Sequence, residues 1–129
     1  TKIDFKKFKW NFEDIKRIIK IIEGFIEVYG DASASDVYSL IMRIRVCYMM
    51  DALLNNQFFS NKGVKEVLLG YELKKEKISK FFDIYRKIRE DKEVNIKIKK
   101  EDILSLIKIV KDYSKKIEDE TKKKTSKRN

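Results

Sequence analysis

The most continuously apolar stretch of the chain covers residues 37–54, VYSLIMRIRVCYMMDALL, interrupted only by Ser39, Arg43, Arg45 and Asp51. Most surface helices have one apolar stripe and one polar face, whereas this segment is apolar on nearly every side. The pattern predicts a central helix that neighbouring helices or a second chain must cover. Because its apolar perimeter exceeds what one four-helix bundle normally covers, we predict a two-fold homodimer.

Apolar residues at helical spacing predict a first helix before this central one. It begins at Asn11 as the N-cap and runs to about Tyr29. Trp10 is expected to pack on the bundle just before that cap. Ser33 and Ser35 are alternative N-caps for the central helix.

Three more elements follow the central helix. A short helix over residues 61–70 is capped by Ser60, and a longer one covers about residues 74–91. The connector 94–100, VNIKIKK, is predicted to be an extended loop. A last helix begins near residue 100. Four long helices and one short one, joined by short connections, predict an all-α, up-and-down antiparallel bundle.

The chain of 129 residues is long enough for one domain with a hydrophobic core, which we place at residues 1–120. Its net charge of +10 is concentrated at the ends, since residues 1–10 carry +3 and residues 121–129 carry +5. The last nine residues have no apolar anchor, so we predict a disordered basic tail. Such tails are attracted weakly to any polyanion.

Residue usage excludes several kinds of site. The single cysteine, Cys47, cannot form an intrachain disulfide, and no signal-peptide pattern is present, so we expect a cytoplasmic protein. With no histidine and no glycine-rich phosphate loop, we expect no metal and no cofactor. The longest apolar run contains two arginines and an aspartate, so we expect no membrane span. Abundant Lys and Glu with one Gln is typical of a thermophile, but an AT-rich genome also enriches Lys.

Charged residues on the central helix are the first candidates for a site. Arg43 and Arg45 point in directions about 200° apart, so at least one is expected to be poorly exposed. A buried arginine needs a partner, and Asp51 or an acid on the fourth helix can form a structural ion pair with Arg43. The alternative is that an arginine contacts an anion or an RNA phosphate in a cleft.

Arg86 and Arg89 are the second candidates, because they lie on one face of the fourth helix. They can form exposed pairs with Glu90 and Glu93 at the i,i+4 spacing, or they can line an anion site. The neighbouring Tyr85 is a core aromatic or a member of the same site.

Residues 43–89 resemble the HEPN family of prokaryotic helical bundles. The matching pieces are RIRVCYMMDALL, then FFSNKGVKEVLL after a short break, then KFFDIYRKIREDK. HEPN domains are bundles of this size with Tyr and Ala in the second helix. Many form dimers whose late helices line a shared cleft. Several are RNases that use an Arg followed a few residues later by His, and others are non-catalytic partners of small nucleotidyltransferases.

The family arginine corresponds to Arg86 or Arg89, but the histidine has no counterpart. The positions that follow at the family spacing hold Asp91, Val94 or Asn95. None of these side chains has a pKa suited to acid–base catalysis near neutral pH.

The resemblance therefore implies no catalytic residue of the usual type. It implies a binding module for RNA or a nucleotide in a dimer cleft lined by Arg86, Arg89, Tyr85 and Arg45. The alternatives are a protein-interaction subunit that partners a nucleotidyltransferase, and a divergent RNase that uses Arg89 with Asp91 or Asn95.

Overall fold

The computed structural model describes residues 6–126, which form an all-α bundle with one minimal sheet. In chain order the elements are α1 Lys6–Tyr29, β1 Ala32–Ser33, α2 Ala34–Leu54, α3 Asn61–Gly70, α4 Lys75–Arg89, β2 Lys97–Ile98 and α5 Lys100–Ser126. The predicted fold class, four long helices and one short one, is confirmed. No helix in this part of the chain is both long and apolar enough to cross a membrane.

Helix α2 is the centre of the bundle and packs against the other four helices. Its inward side chains are fully enclosed, among them Val37, Leu40, Ile41, Ile44 and Cys47. Helix α1 runs antiparallel to α2, whereas α5 begins at the same end of the bundle as α2, where β1 and β2 pair. This direction is the one expected for the second and fourth long helices of an alternating bundle.

Side-chain caps define where α2 and α3 begin. Ser33, not Ser35, caps α2: its Oγ accepts from the Asp36 N–H at 3.3 Å, and its own N–H donates to the Asp36 carboxylate at 2.9 Å. This reciprocal pair is a capping box. Ser60 caps α3 as predicted, because its Oγ accepts from the Gly63 N–H at 3.1 Å.

The start of α1 differs from the prediction. Asn11 is inside the helix rather than at its cap, because α1 already begins at Lys6. Phe8 and Phe12 occupy the inward positions and are buried, which turns Trp10 outward. Trp10 is 68% exposed and does not pack on the bundle as predicted.

The connector before α5 is also more ordered than an isolated loop. Lys97–Ile98 pairs antiparallel with Ala32–Ser33, and Ile98 is fully buried. The pattern of the connector could not reveal this pairing, since the partner strand comes from the distant linker between α1 and α2.

The predicted disordered tail is helical in the part that the structure describes, because α5 continues to Ser126. Thr121 is buried and its Oγ1 donates to the Ile117 carbonyl at 2.7 Å. Lys124 Nζ donates to the Leu54 carbonyl at the end of α2. A lysine that binds the last carbonyls of a neighbouring helix substitutes for an apolar anchor. Residues 127–129 lie outside the described residues, as do residues 1–5.

Candidate anion-binding cleft

A cleft of about 540 Å³ lies between α2, α3 and α4. Its lining consists of Arg45, Asn61, Lys65, Ser79, Phe82, Asp83, Tyr85, Arg86 and Arg89. All four ligand-contact candidates from the sequence, Arg45, Tyr85, Arg86 and Arg89, are therefore brought together. Three arginines and one lysine face a single carboxylate, so the cleft carries a net positive charge.

Arg45 is held at the cleft by an amide and by two aromatic rings. Its Nη1 donates to Asn61 Oδ1 at 2.8 Å, and its guanidinium carbon lies 5.4 Å from the Phe59 ring centre and 5.7 Å from that of Tyr85. Cation–π contacts orient the guanidinium plane, while one amide occupies only one of its five N–H donors. Most of these donors stay available to a ligand.

The wall of the cleft is aromatic. Tyr85 is buried and stacks on Tyr38, with ring centres 5.0 Å apart and an angle of 18° between the planes. Phe82 meets Tyr85 edge-on at 6.4 Å, and Lys65 Nζ lies 5.3 Å from the Phe82 ring centre. The rings of Tyr85 and Phe82 thus each lie against a cation of the cleft, Arg45 and Lys65 respectively.

The two arginines in the last turn of α4 differ in their pairing. Arg86 Nη2 is 2.7 Å from Asp83 Oδ1, and Lys87 Nζ is 2.9 Å from the other oxygen of that carboxylate. The hydrogen bond from Lys87 is the main cause that lowers the pKa of Asp83, followed by the charges of Lys87 and Arg86. Arg89 forms no ion pair with any residue in the described range.

The i,i+4 pairs considered for these arginines are not formed. Helix α4 ends at Arg89, so Glu93 lies beyond the helix, where it accepts from Asn95 Nδ2 at 3.2 Å. Glu90 pairs with Lys92 at 3.1 Å instead of with Arg86. The rule needs both residues on one helix, and here the chain turns away too early.

The predicted ion pair between Arg43 and Asp51 is wrong. Arg43 Nη2 lies 3.1 Å from Asp14 Oδ2 of α1, and its Nη1 donates to Ser39 Oγ at 2.9 Å. Asp51 Oδ2 instead accepts from the Tyr113 hydroxyl at 2.8 Å. Eight residues on one helix correspond to a rise of about 12 Å, which is too far for a direct pair.

Asp14 is therefore the carboxylate that Arg43 depends on. We expect Asp14→Ala to lower the free energy of unfolding by about 1.5 kcal/mol, since it leaves a half-buried guanidinium without its charged acceptor. Glu13→Ala, at an exposed position next to it on α1, is the control and should change stability by less than about 0.5 kcal/mol. Urea denaturation measures both, and equal losses would contradict the assigned role of Asp14.

Asn61, Lys65 and Phe59 are among the residues of this region that sequence spacing did not identify. Their positions depend on how α3 and the preceding loop rotate against α2, which periodicity within one helix does not specify. The only available signal was that Lys65 lies on the polar side of a short amphipathic helix.

Elsewhere in residues 6–126, no group of three or more acidic or cysteine side chains is placed to hold a metal ion. Comparison of the chain with models of protein families, with curated proteins and with solved structures finds no match, so the HEPN resemblance stays a prediction.

Proposed function

We propose that this chain is a non-catalytic module that binds the phosphates of an RNA segment or a nucleotide in the cleft between α2, α3 and α4. One observation carries the proposal: four cations, Arg45, Lys65, Arg86 and Arg89, line one cleft with a single carboxylate. Phosphate is the common biological ligand that matches several guanidinium groups at once.

Each cation has a distinct part in the proposed complex. Arg89 has no carboxylate partner among the described residues and is the first candidate for a two-pronged contact with phosphate oxygens. Arg86 is 67% exposed, and Asp83 is its one ion-pair partner in the part of the chain that the structure describes, so it can turn toward a ligand. Arg45 is fixed in advance by Asn61 and the aromatic rings, which lowers the entropy lost on binding.

An exposed aromatic at the edge of the cleft supports RNA over an isolated phosphate. Phe58 is 96% exposed and directly precedes Phe59, whose ring lies against Arg45. The Phe58 carbonyl accepts from the Tyr48 hydroxyl at 3.5 Å, which helps to hold this loop. A solvent-exposed ring beside a basic cleft provides a stacking surface for an unpaired base.

The divergent RNase has less support than a binding role. It requires Arg89 to act with Asp91 or Asn95, but neither residue lines the cleft. Asn95 donates its amide to Glu93 instead. The interaction-subunit alternative is favoured by a different feature, the large apolar side chains that α1 and α2 expose.

The test is titration of the wild type and of Arg86→Ala/Arg89→Ala with a short single-stranded RNA and with ATP, followed by fluorescence anisotropy at fixed salt. We expect the double variant to bind well over tenfold more weakly, since each charge-assisted hydrogen bond contributes roughly 1.5–3 kcal/mol. Lysine at both positions should restore binding only in part, because it lacks the planar fork.

Lys108→Ala/Lys116→Ala is the matched control. These exposed lysines of α5 lie outside the cleft, and their removal changes the net charge by the same amount. It should weaken binding only slightly, through the general electrostatic attraction. Equal affinities for the wild type and the cleft variant, or no binding by either, would rule out the proposed cleft.

A further inference from the structure

Helices α1 and α2 expose a row of large apolar side chains along one side of the bundle. The row consists of Trp10, Ile21, Phe25 and Val28 on α1 and of Met42, Met49 and Leu53 on α2. We call these seven residues the α1–α2 face. Trp10 and Val28 are 68% and 73% exposed, and all seven are more than one third exposed.

Helical spacing places the members from each helix on one side. On α1, positions 21, 25 and 28 follow the i, i+4, i+7 spacing. On α2, positions 42, 46, 49 and 53 follow the i, i+4, i+7, i+11 spacing, with the half-buried Val46 completing the row. In a soluble bundle this spacing is the signature of a helix side that packs against something.

The two rows lie next to each other rather than on opposite sides. Helix α1 runs antiparallel beside α2, with Asp14 against Arg43 and Asn11 Nδ2 donating to Met50 Sδ at 3.8 Å. Both helices direct another side toward α5, as the contact of Lys16 with Glu118 at 3.1 Å shows for α1. At about 100° per residue, both apolar rows then point away from α5 and form one surface.

The area of this surface matches what a stable dimer buries. From their exposed fractions, the seven residues present on the order of 800 Å², given that a large aromatic side chain covers about 150–250 Å². A standard interface buries about 800 Å² on each partner, whereas a typical monomer exposes patches of about 300–600 Å².

The charges inside the face are already paired. Asp14 lies between the two rows and contacts Arg17 at 2.8 Å as well as Arg43 at 3.1 Å. Asp14, Arg17 and Arg43 together carry a net charge of +1, whereas the whole chain carries +10. Covering this group therefore leaves the Asp14 carboxylate with its cations, and two identical copies of the face would repel each other little.

We infer that a second copy of this chain docks on the α1–α2 face and forms a two-fold dimer. A face with an apolar centre and near-neutral charge is complementary to itself, as an isologous interface requires. None of its residues lines the basic cleft, so the interface and the cleft use different side chains. The inference is independent of the proposed function, since dimer formation does not require RNA.

Light scattering coupled to size exclusion, at micromolar concentration, tests the dimer. The wild type should have twice the 15.5 kDa mass of the chain. Phe25→Glu/Val28→Glu should dissociate at least about a hundredfold more readily, because it buries two carboxylates in the interface. The control Leu69→Glu/Leu104→Glu changes exposed leucines on α3 and α5 and should stay dimeric.

Trp10 gives a second, independent measurement because it is the only tryptophan. Its emission should shift to longer wavelength as the protein is diluted through the dissociation range. Met49→Glu, on the other helix of the face, should also weaken the dimer, so the test remains decisive if the first variant does not fold by circular dichroism.

Four results would overturn the inference. The first is a monomeric wild type at about 100 μM, which is above the dissociation constant expected for such an interface. The second is a dimer that survives both face variants, and the third is a dimer that forms without a shift of Trp10 emission. The fourth is a monomer that cosediments with phosphatidylcholine–phosphatidylserine vesicles. The last result would assign the face to a lipid surface.

Discussion

Gly63→Ala is expected to destabilise the bundle by about 2 kcal/mol, although alanine is the better helix former. A Cβ atom at Gly63 would overlap the hydroxyl oxygen of Tyr48 and the ring carbon that carries it, and would lie 2.7 Å from the next ring carbon. Tyr48 packs edge-on against Phe59, with ring centres 5.3 Å apart, so its ring cannot move without disturbing the loop beside the cleft. Overpacking of this kind outweighs the gain in helix propensity of up to about 1 kcal/mol.

Urea denaturation of three variants tests this close approach. Gly70→Ala is the matched control in the same helix, because a Cβ atom there would meet no other atom within 4 Å, and it should be neutral or stabilising. Tyr48→Ala combined with Gly63→Ala should cost less than the sum of the two single changes, since the ring that clashes is gone. Additive costs would show that the two residues do not compete for space.

Gly63→Ala should also weaken binding in the cleft. Helix α3 carries Asn61, which positions Arg45, and Lys65, which lies over Phe82. A shift of this helix away from Tyr48 moves both side chains. Loss of RNA binding that accompanies the loss of stability would link the packing of α3 to the proposed site.

The sequence predicted the helices well because their apolar spacing is strong. The ends of α2, α3 and α4 lie within three residues of the predicted ones, and Ser60 caps α3 as expected. Helix α1 ends at Tyr29 as predicted, and the next residue, Gly30, has a φ of 81° that other residues adopt rarely. The start of α1 was not predictable from Asn11, since a good N-cap residue also occurs within helices.

Contacts between helices were harder to predict than the helices themselves. At 100° per residue, Arg43 and Arg45 point about 200° apart, and this separation correctly implied two different environments. It did not identify Asp14 as the partner of Arg43. That choice depends on the register between α1 and α2. Likewise, spacing placed Arg86 and Arg89 on one helix face and the HEPN resemblance made them cleft candidates, whereas Lys65 required knowledge of how α3 packs on α4.

The directions of the side chains around α2 also explain why this one helix can contribute to two surfaces. Arg45 faces the cleft with α3 and α4, while Met42, Met49 and Leu53 face outward beside α1. The fully enclosed Leu40, Ile44 and Cys47 occupy the remaining inward direction. An almost uniformly apolar helix is thus divided between a core, a proposed site and a proposed interface.

Alkaline pH is expected to destabilise this bundle, because two of its buried side chains, Cys47 and Tyr113, are ionisable. Burial, with a smaller contribution from the Asp51 charge, raises the pKa of Cys47 from 9.0 to about 12. Burial first, and then the hydrogen bond to Asp51, also raises the pKa of Tyr113. In both cases the folded state retains a proton that the unfolded chain releases.

The sign of the effect follows from this difference. The stabilisation is complete below pH 9, where both states of Cys47 are protonated, and it falls as the pH rises toward 12. Each pKa unit corresponds to about 1.4 kcal/mol, so Cys47 alone accounts for a loss of about 4 kcal/mol over this range. That is a large part of the roughly 5–15 kcal/mol typical of a domain.

Deprotonation of the many lysines also changes stability in this range, so the comparison must be made between variants. We expect the free energy of unfolding, measured in urea from about pH 7 to 11, to fall less steeply for Cys47→Ala than for the wild type. Tyr113→Phe should flatten the curve in the same way, since phenylalanine has no proton to lose. The small cavity left by Cys47→Ala, and the hydrogen bond to Asp51 that Tyr113→Phe removes, lower the whole curve without changing its slope. Parallel curves for wild type and both variants would mean that these two groups titrate alike in the folded and unfolded states, contrary to their burial against Asp51.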